Sequence, residues 1–161
     1  MRKPFKHLAA LATATATVLV SGLIGAQSAT AEGNPMYQND EYQYMSAHKC
    51  ADQTEEYRFR FYYNSNNQGA WVNIGNHVPD LARLAIGQDQ FPALTFCDKG
   101  KGAHQRVANN AGSAYNWYQQ YCATVHYNSW YRGPSERVAP GYVHNLGPTK
   151  NNNKSVSFEG C

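Results

Sequence analysis

Tyr57-Arg58-Phe59-Arg60-Phe61-Tyr62-Tyr63 alternates strictly, with Tyr57, Phe59, Phe61 and Tyr63 on one side and the arginines on the other. A period of two belongs to a half-buried antiparallel strand. Asn64-Ser65-Asn66-Asn67-Gln68-Gly69 follows, and Asn and Gly are the residues that tolerate positive φ in tight turns. Ala70-Trp71-Val72-Asn73-Ile74 then returns, so the pattern predicts a hairpin. The same unit recurs. Thr124-Val125-His126-Tyr127 leads into Asn128-Ser129-Trp130-Tyr131-Arg132-Gly133, and Tyr63-Asn64-Ser65 with Gly69 matches Tyr127-Asn128-Ser129 with Gly133 at an offset of 64. A second signature, Asn109-Asn110-x-x-Ser113, returns as Asn151-Asn152-x-x-Ser155 at an offset of 42.

Both signatures keep their order, so the chain holds two copies of one module, built as stacked units that share a core. The first copy carries 22 extra residues, the difference between the two offsets, within Gly75 to Arg106. Val78-Pro79 to Ile86-Gly87 reads as one short helix there, with Pro near its start and Gly closing it. The stretches around Phe91-Pro92 and Cys97 to Gly102 read as loop. Module one spans 57–117 with its insertion, module two 122–161, and the domain as a whole 50–161. Residues 32–49 are polar, with Tyr and Met at no clear period, and read as a flexible lead-in.

Residues 1–31 change the charge picture. Arg2, Lys3 and Lys6 precede an apolar run from Leu8 to Ala26, which ends on Ala29-Thr30-Ala31. These are the three parts of a secretory signal peptide, and Thr13, Thr15, Thr17 and Gly22 dilute the run below a membrane span. Cleavage there would take three of the 14 basic residues and no acid, leaving 11 against 11. The formal +3 therefore belongs to the leader, and attraction to nucleic acid loses its support. All four cysteines, Cys50, Cys97, Cys122 and Cys161, lie in the exported part, which implies two disulfides rather than zinc ligation, because no pair has zinc spacing. Three pairings are open. The favoured one, Cys50–Cys97 with Cys122–Cys161, would staple each half separately. The expected product is secreted, extracellular and monomeric.

An aromatic strand, a Y-N-S-x-x-x-G tip and a later N-N-x-x-S, all occurring twice, resemble the βγ-crystallin module. With the leader and four cysteines, the layout is similar to secreted peptidase inhibitors of the Streptomyces metalloproteinase inhibitor type. Tyr127-Asn-Ser-Trp-Tyr-Arg-Gly133 and Asn145 to Asn153 carry that likeness most closely. The resemblance implies an all-β fold: two Greek-key modules forming a β-sandwich, with N-N-x-x-S opening the last strand of each. It implies binding rather than catalysis, by a rigid loop entering the cleft of an extracellular metalloproteinase. Candidate loops are Thr95-Phe96-Cys97-Asp98-Lys99, where Asp98 stands in place of the apolar residue such a target favours, and Trp130-Tyr131-Arg132-Gly133 at the second tip.

The alternative implied by the same resemblance is a calcium-binding or structural module of the cell envelope. Its ligands would be Asn109, Asn110, Ser113, Asn151, Asn152 and Ser155. These offer only neutral oxygens, so calcium is not required and would bind weakly, at about 10⁻⁴ M. Trp71, Trp130 and Tyr131 could also stack on envelope sugars. Enzyme signatures are missing: there is no H-E-x-x-H, G-x-S-x-G, P-loop or G-x-G-x-x-G. His48, His77, His104, His126 and His144 are dispersed, and Glu55-Glu56 points to opposite faces of an extended chain.

Overall fold

A computed structural model describes residues 50–52, 57–84 and 92–161. The leader, the segment 32–49, Glu55-Glu56 and residues 85–91 lie outside the described residues. Seven strands follow in chain order: β1 (Phe59–Tyr62), β2 (Trp71–Ile74), β3 (Ser113–Asn116), β4 (Tyr121–Asn128), β5 (Arg132–Val138), β6 (Val143–Asn145) and β7 (Ser155–Gly160). They form two antiparallel sheets, β2-β1-β3-β6 and β5-β4-β7. No helix occurs among the described residues.

The two copies exchange strands. In the first sheet β1 lies between β2 and β3, and β6 from the second copy adds at the edge, with Ser113 opposite Asn145 and Tyr115 opposite Val143. Val78 from the first copy makes the reciprocal step, bridging Val156 in β7. Two further bonds repeat the exchange, their acceptors 42 residues apart and their donors 65. Leu146 N–H donates to Gly112 O at 3.2 Å, and Leu81 N–H donates to Lys154 O at 2.8 Å. Each copy is thus a hairpin, a crossover to the other sheet and a return strand beside its own first strand, which is a Greek key.

The alternation of β1 has its expected result. Tyr57, Phe59 and Phe61 are buried, and Phe59 meets Phe61 and Phe158 edge-to-face at 5.0 and 5.6 Å. That last contact joins the inner faces of the two sheets. On the outer face Arg60 is not left in solvent. Its guanidinium lies 3.8 Å from the Trp71 ring centroid and 5.0 Å from that of Trp117, and its Nε donates to Asn73 Oδ1 at 2.6 Å.

The short helix expected from Val78 is not formed over its described part. Val78 is drawn into the bridge to β7, and Leu81–Arg83 turn about Asp80, whose Oδ1 accepts the Ala82 N–H at 2.9 Å. The apolar spacing of Val78, Leu81 and Leu84 serves burial by a folded-back segment: Leu94 N–H returns to Leu81 O and Leu84 N–H to Pro92 O. Two disulfides, Cys50–Cys97 and Cys122–Cys161, close the structure at Cα separations of 5.6 and 5.2 Å. This is the pairing that staples each half.

Candidate functional site

The two hairpin tips and the N-N-x-x-S segments meet in paired knots. Ser113 Oγ donates to Asn64 O at 2.6 Å and accepts the Asn67 N–H at 3.0 Å. Ser155 Oγ donates to Asn128 O at 2.7 Å and accepts the Tyr131 N–H at 3.1 Å. Every partner is displaced by the offset read from the sequence. The backbone repeats as well: Asn66 and Trp130 have φ of 58° and 61°, Asn67 and Tyr131 55° and 58°, Gly69 and Gly133 81° and 78°. Between the knots the N-N-x-x-S segments bond each other. Asn109 N–H donates to Asn153 O at 2.8 Å and Asn151 N–H to Ala111 O at 3.0 Å.

The structure therefore brings Asn109, Asn110, Ser113, Asn151, Asn152 and Ser155 into two related places, with most of their groups engaged. Both serine hydroxyls donate and accept within the knots. Asn110 Nδ2 caps Arg106 O and Ala108 O, and Asn152 Nδ2 donates to Lys150 O. No cluster of three or more His, Cys, Asp or Glu that could hold a metal occurs among the described residues. The donors suit at most a calcium ion held by carbonyl and hydroxyl oxygens already shared with the backbone.

The loop around Cys97 is divided. Phe96 is 1% exposed and packs in the core, edge-to-face with Tyr63 at 5.8 Å, whereas Asp98 and Lys99 are exposed. Its ends are pinned. Cys97 carries the disulfide and donates its N–H to Trp71 O at 2.9 Å, and Lys101 O accepts the Ala70 N–H at 2.8 Å. Gly102 fits beneath the Tyr63 ring at a positive φ of 90°, where a Cβ would come within 2.1 Å of Tyr63 Cγ.

The second tip projects aromatic surface. Trp130 is 64% exposed, Tyr131 38%, and Arg132 is also exposed. The Trp130 N–H is tied to Pro79 O at 2.7 Å, and the Tyr131 ring contacts His77 and His126 at 6.3 and 5.7 Å. Burial pushes both imidazoles below their ordinary value, opposed at His126 by the nearby Glu159 carboxylate. The tip thus rests on two largely neutral rings at neutral pH. Trp71, by contrast, is half-buried under Arg60 rather than free at a tip.

One group had no sequence signal. Glu136 in β5 accepts the Gly147 N–H at 3.0 Å, the Thr149 N–H at 2.9 Å, the Thr149 hydroxyl and His144 Nε2 at 2.8 Å. Burial pushes its carboxyl up, but the bonds from Thr149, Gly147 and His144 outweigh that and hold it below its ordinary value. It fixes the turn just ahead of Asn151-Asn152. Arg132 to Val138 offers no apolar alternation to mark it, and Thr149 reads as an ordinary turn residue.

No family model and no curated protein matches the chain. Solved structures do. One described under the evolution of the eye-lens βγ-crystallin domain fold is 10% identical, covers 69% of this chain and 93% of its own, and has a TM-score of 0.47. The N-terminal domain of protein S is 22% identical over 64% and 96%, and a βγ-crystallin from Ciona intestinalis is 14% identical over 63% and 99%, each with a TM-score of 0.44. Strand exchange and paired serine knots make the fold βγ-crystallin-like. Among the described residues no helix is long and apolar enough to cross a membrane.

Proposed function

We propose that this is an exported binding protein that inhibits an extracellular peptidase, of the metalloproteinase type, by holding a rigid loop in the enzyme's cleft. The observation that carries this reading is the loop after Cys97. It presents Asp98 and Lys99 to solvent while a disulfide and main-chain bonds to Trp71 and Ala70 hold both ends. A loop ordered before binding loses little entropy on entering a cleft. The second tip is a further contact, with Trp130 as its exposed anchor. Two disulfides agree with an oxidising, extracellular setting.

Purified protein titrated against thermolysin-like metalloproteinases and subtilisin-like proteases should inhibit the former stoichiometrically. Asp98→Ala with Lys99→Ala should weaken inhibition if the disulfide loop enters the cleft, and Trp130→Asn if the tip does. No inhibition of any panel member at micromolar protein would remove this function.

The second reading, a structural or calcium-linked envelope module, is favoured by the twin knots, which place neutral oxygens at two related positions. Calcium bound to the folded state must raise the melting temperature, by about 1.4 kcal/mol of stability at ten times Kd. A melting temperature unmoved by millimolar calcium would count against the ion, and leave the structural module.

A further inference from the structure

We propose that the groove between the first hairpin tip and the loop leading into Asn151 binds a phosphate group, an activity independent of peptidase inhibition. The groove is lined by Tyr63, Asn64, Ser65, Lys101, Lys150 and Asn151 and encloses about 290 Å³. Two lysines line it from different parts of the chain. Lys101 comes from the insertion, its main chain fixed by the bond from Ala70 N–H. Lys150 comes from the second module, its Nζ donating to Ser65 Oγ at 2.9 Å. Among the described residues neither lysine is ion-paired with a carboxylate.

The duplication provides an internal comparison. Lys150 corresponds, 42 residues on, to Ala108, which is buried against the protein, and Lys101 lies in the stretch that the second copy lacks altogether. The knots, tips and main-chain bonds are kept in both copies, so folding of the module does not demand these two cations. Both departures from the repeat fall on the same groove. Two like charges on one groove repel, and an anion bound between them turns that cost into attraction. Ser65 accepts from Lys150 and so keeps its own hydroxyl hydrogen to donate. Two point-like ammonium donors and a hydroxyl suit the several oxygens of a phosphate better than the planar carboxylate, which favours a guanidinium fork.

The test uses the full folded protein at fixed ionic strength, with amide chemical shifts followed at Ser65, Lys101 and Lys150. Probes are inorganic phosphate, glycerol 3-phosphate and a poly(glycerol phosphate) chain. Saturable shifts confined to the groove are expected. Lys150→Ala, which restores the residue of the other copy, and Lys101→Ala should each weaken binding about tenfold, the worth of one charge-assisted hydrogen bond. Lys154→Ala should not. Both groove lysines are exposed, so unchanged circular dichroism is expected to show the variants folded. Polymer binding tighter per phosphate than the monoester would assign an envelope or matrix polymer as the source, and equal binding a soluble phosphate. Shifts that never saturate, or equal affinity in wild type and both variants, would overturn the proposal.

Discussion

Glu136 concentrates more hydrogen bonds than any neighbouring side chain, and its ionised form is the one the surrounding donors stabilise. Its folded pKa lies below the ordinary 4.5. The stabilisation is therefore complete above the unfolded pKa and is lost as pH falls through the depressed folded value. Melting temperature should drop on acidification below about pH 4.5, and Glu136→Gln should flatten that slope while costing about 1–3 kcal/mol at neutral pH, since a charged acceptor of main-chain donors is removed. A variant with an unchanged acid slope would show that other carboxylates govern it. A residue of this kind cannot be picked from the sequence. Its partners, Gly147 and Thr149, are brought to it by the crossover of the second copy, and no local spacing relates them to β5.

At the scale of the hairpin, the two tips solve one backbone problem with different residues. The first places Asn66 and Asn67 at positive φ, where Asn is tolerated; the second places Trp130 and Tyr131 there, at about 1–2 kcal/mol per residue. The knot below each tip is what enforces that shape. Ser113→Ala would leave Asn64 O without its hydroxyl donor and the Asn67 N–H without its acceptor; Ser155→Ala does the same to Asn128 and Tyr131. Each should destabilise by about 1–3 kcal/mol in urea denaturation. The second should also loosen the Trp130 tip, seen as raised amide exchange at Tyr131. Equal stability of either variant with wild type would mean the knots are incidental.

Elements were legible where residue type and burial agreed. Alternation exposed β1, the Asn- and Gly-rich turns exposed the tips, and the twin offsets exposed the return strands β3 and β7. Strand β6 stayed hidden and β5 was implied only by the recurrence of the hairpin, because each lies at a sheet edge with little buried surface, and Pro134 is admissible in β5 only there. The helix expected at Val78 failed for a long-range reason: the open position beside β7 in the other sheet claims Val78 before local propensity can act. Phe96 belongs to a candidate loop in the sequence, yet the bonds of its N–H to Gln105 O and of the His104 N–H to its carbonyl accompany a ring turned inward.

Over the whole molecule, strand exchange sets how stability is distributed. The first sheet is completed by β6 from the second copy, and β7 is bridged by Val78 from the first, so neither copy keeps its full edge without the other. The disulfides act on the unfolded chain instead. Their separations of 47 and 39 residues give about 4 kcal/mol each on the chain-entropy model. The Cys122–Cys161 link lies wholly within the second copy, which makes it a clean probe of coupling. Replacing both of its cysteines by Ser should lower protection against amide exchange in β1–β3 as well as in β4–β7, because loss of β6 and of the seat for Val78 reaches the first sheet. Unfolding should remain a single transition, shifted down by up to about 4 kcal/mol. Two separate transitions, with β1–β3 retaining wild-type protection, would show that the exchanged strands are decoration and that the modules stand alone. A shift with one transition would show that the duplicated halves fold as one body, which keeps the pinned loop and the second tip at fixed spacing.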